Sequence, residues 1–139
     1  MRHLLVLFLS VSLFFSCNDS NDCEGFEVGK EFEIAIEQQL ENCLKNISVK
    51  VIEIQDSRCP AGAQCIWAGM IVLRGELIVG GQKQYILLST NENASGFPDE
   101  FSTLEYTVKL VDAIPYLDLN KPYKPEDQRA ILIISKRST

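Results

Sequence analysis

Cysteine is the residue type with the most chemistry to offer in this chain, and there are five: Cys17, Cys23, Cys43, Cys59 and Cys65. Cys59 and Cys65 close the string CPAGAQC, in which Pro60 and Gly62 bend the backbone. That short separation suits a local disulfide, which leaves Cys23 for Cys43. Zinc is the competing reading, but it asks for a tight CxxC or for histidine partners. The single histidine, His3, precedes an apolar leader and is expected to leave with it. Ser–His–Asp and Cys–His catalysis then have no imidazole. Cys59 and Cys65 are also too far apart for a two-residue redox motif. Two acidic pairs remain, Asp99 with Glu100 and Glu126 with Asp127. Such pairs can serve glycoside hydrolysis or hold calcium. Adjacent acids on loops are ordinarily solvated, however, and no EF-hand pattern surrounds them. No catalytic, cofactor-binding or metal-binding residue is assigned, and no cofactor is expected.

Cys17 is set apart by what precedes it. Arg2 and His3 give a short basic start, Leu4 to Phe15 is apolar except for Ser10 and Ser12, and Asn18 to Asp22 is polar at once. The run is too short to span a bilayer, which takes about 20 apolar residues, and fits the core of a secretory signal. Ordinary signal peptidase wants a small residue where Phe14 stands. The string LFFSC resembles a bacterial lipobox, with Phe15 larger than usual before Ser16. The resemblance implies removal of residues 1–16 and a diacylglyceryl thioether on Cys17, with fatty-acyl chains such as palmitate. Lipidating Cys17 leaves an even number of cysteines. A plain secreted protein is the alternative. The acidic stretch Asp19, Asp22 and Glu24 resembles surface-export signals of some lipoproteins, which points to the outer membrane or cell surface over the inner membrane.

The remainder is long enough for one domain with a real core. The chain carries a net charge of −6, and loss of Arg2 makes it more acidic. It therefore lacks the basic footprint of a nucleic-acid binder and the polybasic patch that anionic lipid attracts. Membrane attachment is expected through the acyl chains alone.

The elements that must hold these residues read as strands. Residues 17–25 form a polar tether, and 26–139 a single β domain. Phe26, Val28, Phe32, Ile34 and Ile36 share one parity. A short helix over 36–45 is an alternative, because Ile36, Leu40, Cys43 and Leu44 recur at helical spacing. Ile47, Val49 and Val51 face one way and Ile52 and Ile54 the other, which predicts a bulge or burial on both faces. Ile66 to Val79 reads as a long strand kinked at Gly75, and Gly80-Gly81 as a hairpin turn to Gln82–Leu88. Residues 89–103 read as a polar loop. Leu104 to Ile114 alternates, prolines break the next segment, and Arg129 to Ser135 should be a central strand. Six to seven strands with turns between them predict an antiparallel β-sandwich or small barrel.

The segment DSRCPAGAQCIWAG, Asp56 to Gly69, resembles one in small, uncharacterised exported lipoproteins of Gram-negative bacteria that share DSRCP followed by C-[IV]-W-A-G. GKEFEIAI and YTVKLVDAIPY extend the resemblance. It implies a lipid-anchored domain and carries no activity. Asp56 is expected to end its strand in an Asx-turn, Trp67 to pack beside the disulfide, and Gly69 to permit close approach. The competing use is recognition, with Arg58 and Trp67 as anchors of a rigid loop. The expected function is non-catalytic binding of a protein or glycan, with no nucleic-acid partner. A protease-inhibitor-like loop 59–65 and a structural envelope component are the alternatives.

Overall fold

The computed structural model describes residues 25–138. The expected leader 1–16, Cys17, Cys23 and the expected tether as far as Glu24 lie outside the described residues. The described residues form eight strands: β1 Glu31–Ala35, β2 Gln39–Asn42, β3 Ile47–Asp56, β4 Ile71–Val79, β5 Gln82–Ser89, β6 Glu100–Ser102, β7 Tyr106–Ile114 and β8 Arg129–Lys136. One helical turn, α1 Glu92–Ser95, precedes β6. The strands form two antiparallel sheets, ordered β1-β8-β7-β6 and β2-β3-β4-β5. The sheets pack on each other as a β-sandwich, not a closed barrel.

Alternation explains which side chains meet between the sheets. Val49, Val51, Leu73, Leu77 and Leu88 from one sheet are fully or almost fully enclosed with Ile34, Val108, Leu110, Leu132 and Ile134 from the other. The phase change in β3 is a bulge: the pairing with β4 slips between Val51 and Glu53, and Ile52 turns outward while Ile54 stays in. Gly75 pairs with Val51 beside that bulge, and a Cβ there would sit 2.6 Å from the Lys50 carbonyl oxygen. Gly80 and Gly81, both at positive φ, turn β4 into β5 as a two-residue hairpin. A second bulge between Leu110 and Asp112 shifts β7, so that Ala113 takes over the buried side. β8 is central, between β1 and β7, with Ala130, Leu132 and Ile134 in the core and Ile131 and Ile133 half-covered on the outer face.

Three expectations need correction. The helix over 36–45 does not form; Gln39–Asn42 is strand β2. Glu37 takes a φ of 63°, which no helix accommodates, and Leu44, needed on the helical face, is 94% exposed. Ala35 N–H donates to Gln38 Oε1 at 2.9 Å and closes a turn there instead. The strand read from Ile66 begins only at Ile71, because Gly69 turns at φ +73 and Ile66 is 99% exposed. Residues 89–103 hold α1, capped by the Asn91 side chain on Ala94 N–H, and strand β6. β2 and β6, of four and three residues, raise the count to eight; both are too short to show a period.

The sandwich has two distinct poles. The chain enters at one, where Asn42 Nδ2 donates to the Phe26 carbonyl and Gly29 N–H to the Ile134 carbonyl. β3 leads from there to Asp56 at the other pole, about 30 Å away at the usual strand rise. The DSRCP segment sits at that far pole.

Candidate functional site

Asp56 ends β3 and begins the site. Its Oδ1 accepts from Arg58 N–H at 3.0 Å, the expected Asx-turn. Ser57 N–H donates to the Met70 carbonyl and Cys59 N–H to the Ala68 carbonyl, so the β3–β4 ladder continues loosely past the strand ends. Only glycine fits at 69, since a Cβ would lie 1.9 Å from the Ser57 carbonyl oxygen. Cys59 and Cys65 are bonded to each other. Cys43 is also disulfide-bonded, and Cys23, its expected partner, lies outside the described residues.

The Arg58 side chain turns inward between the sheets. Its Nε and Nη2 form a two-pronged grip on Asp56, with Nε at 2.9 Å from Oδ1. Nη1 reaches Asp112 Oδ1 at 2.7 Å and Nη2 the Ala113 carbonyl at 2.9 Å, both on β7 in the opposite sheet. Gln128 Nε2, on the residue just ahead of β8, donates to Asp56 Oδ2 at 3.2 Å. The Tyr116 ring covers the guanidinium at 4.5 Å from its centroid, a cation–π contact. The Asp56 side chain is 0% exposed and that of Arg58 10%. The Asp56 hydrogen bond raises the Arg58 pKa against the opposing effect of burial, with the charges of Asp56 and Asp112 adding to it. Tyr123 lies close enough to feel both charges; burial first, then Asp56, pushes its phenol pKa up.

A second loop, 115–120, docks on the disulfide loop. Tyr116 Oη donates to the Cys59 carbonyl at 2.8 Å. Ala61 N–H donates to the Leu117 carbonyl and Ala61 accepts from Leu119 N–H. The backbone of the 59–65 loop is thereby tied to its neighbour on both sides of Ala61.

Arg58 and Trp67 thus part company. Arg58 clamps one sheet to the other, while Trp67 is 77% exposed, not packed on the disulfide as expected. Trp67 to Met70 line an open pocket of about 500 Å³ together with Ser57, Asn91 and Ala94. Asp112 and Gln128 were not singled out from sequence. Asp112 left a faint signal, a charge where the alternation of β7 breaks; Gln128 left none. The acidic pairs stand apart from this pole's chemistry: Asp99 pairs with Lys109 at 2.9 Å, and Glu126 and Asp127 are exposed. Among the described residues no three His, Cys, Asp or Glu side chains gather where they could hold a metal. Protein-family models, curated proteins and solved structures were all compared with the chain, and none matches.

Proposed function

We propose that this chain is an exported lipoprotein, held in the cell envelope by acylated Cys17, that binds a protein or glycan partner without catalysis. The outer membrane or cell surface is the expected site, from the acidic residues after Cys17. The observation that carries the binding role is the exposure of Ile66 and Trp67 on a segment braced from every side. The disulfide fixes its start, Gly69 its end, and Arg58 its base. A rigid loop loses little entropy on association, and an exposed Trp next to an open pocket is a favoured anchor. The chain enters at the opposite pole, so an anchor at Cys17 leaves the loop free. The resemblance of DSRCP and CIWAG to exported lipoproteins supports the same reading.

The inhibitor alternative draws less support. A protease cleft would pair with the backbone of loop 59–65, and both polar groups of Ala61 already bond to loop 115–120. Capture from envelope extract tests the proposal: immobilised wild-type chain should retain a protein or glycan that Trp67→Ala, equally stable, does not. Equal retention by both would remove Trp67 from the function.

A further inference from the structure

The four edge strands of the sandwich are not alike. β1 carries Glu31 and Glu33, β2 carries Glu41 and has four residues, and β6 has three residues with Glu100 among them. Short length and charge are how natural sheets keep edges from pairing. β5 has neither: its eight residues hold a single charge, Lys83, which Glu76 neutralises at 2.8 Å, and no proline or bulge.

Which groups lie open on β5 follows from its ends. Thr90 N–H donates back to the Ile71 carbonyl, whereas Ser89 N–H points the other way, to the Pro98 carbonyl. By alternation the backbone N–H and C=O of Lys83, Tyr85 and Leu87 also point away from β4. Among the described residues no backbone bond occupies these six groups. The same three side chains face outward, where Tyr85 is 74% exposed and, with Leu87 and Ile52, borders a pocket of about 300 Å³ over Gly75.

We propose that this edge pairs with β5 of a second copy, antiparallel, about a two-fold axis at Tyr85. That register sets Tyr85 opposite Tyr85 of the partner, and Lys83 opposite the partner's Leu87. It satisfies all six open groups and no others, and it stops short of Ser89, whose N–H is already used. The two acidic domains meet without opposing like charges, since Lys83 faces an apolar residue. The central pair is aromatic on aromatic, a favoured cross-strand combination. Self-complementarity of this kind is what an isologous dimer requires. The two chain entries then lie at opposite ends of the joined sheets. With Cys23 paired to Cys43 at the entry pole, Cys17 stands six positions further out, a reach of about 20 Å when extended, which lets both anchors meet one bilayer with the strands lying along it.

Sedimentation equilibrium of the purified full chain in density-matched detergent tests the pairing. Wild type should sediment as a dimer. Tyr85→Lys sets two ammonium groups face to face and should raise the dimer Kd at least tenfold. Mixing Tyr85→Lys with Tyr85→Glu should restore dimer, because position 85 meets itself only in this register. Leu87→Pro deletes an N–H that its own sheet does not use, a tolerated change on an edge, and should also give folded monomer. Wild type that stays monomeric at about 100 µM overturns the proposal, as does a dimer unaffected by Tyr85→Lys and Leu87→Pro.

Discussion

Replacing Arg58 by alanine should destabilise the fold by about 3–5 kcal/mol, the cost of breaking a buried ion pair from one side. An exposed ion pair would give about 1 kcal/mol or less, so the two values separate the clamp from surface decoration. The higher figure follows from what the substitution leaves behind. The Asp56 carboxylate is fully enclosed, and without Arg58 it keeps only Gln128 and the N–H of its own turn. The Ala113 carbonyl and Asp112 lose the donors that tie β7 to the far end of β3. Urea unfolding at neutral pH measures the difference. Arg58→Lys should recover only part of it, because an ammonium cannot reproduce the two-pronged grip. In a double-mutant cycle, Asp56→Asn should make the further loss of Arg58 much cheaper, since no charge is then stranded. A loss below about 1 kcal/mol for Arg58→Ala, or simple additivity in the cycle, would refute the clamp.

Other outcomes follow from the same pole and from the surface charges. Gly69→Ala should cost about 3 kcal/mol or more, as a backbone clash added to a left-handed φ; a Tm within 2 °C of wild type, roughly, would contradict it. Cys59→Ser with Cys65→Ser should cost about 2–3 kcal/mol by loop-closure entropy, read from denaturant midpoints under oxidising conditions. The Lys109 hydrogen bond holds the Asp99 carboxyl below the usual range, and the Asn120 N–H does the same for Asp118. A depressed folded pKa means stability that is full above about pH 4 and lost as pH falls through the folded value. Lys83 and Lys109 are raised by Glu76 and Asp99, and Tyr123 by burial, so their contributions are present below about pH 10 and lost above it. Thermal unfolding should therefore be flat between about pH 6 and 8, and a fall inside that window would count against these assignments. Cys17→Ser should abolish labelling by a fatty-acid probe and leave an unprocessed precursor; normal release would identify an ordinary secreted protein.

The sandwich was legible where side chains alternate over long strands. Val49 and Val51 against Ile52 announced the bulge in β3, and Gly80-Gly81 the hairpin, because period and turn chemistry are local properties. β2 and β6 were invisible because three or four residues carry no period; their partners, β3 and β7, create them. Arg58 stands out in the sequence as a recognition candidate and lies buried, since Asp112, which it grips, and Gln128, which donates to the same Asp56, are brought there only by the meeting of two sheets. Trp67 went the opposite way. Its apolar character suggested packing, but it sits just before the left-handed turn at Gly69 and is 77% exposed.

Photocrosslinking in intact cells tests the recognition loop most directly. A photoreactive phenylalanine analogue placed at Trp67 should yield a discrete adduct with an envelope protein or glycan. The same group at Leu104, exposed at the opposite pole, should yield none of that adduct. No adduct from position 67, or the same products from both positions, would contradict a binding role for the Trp67 loop.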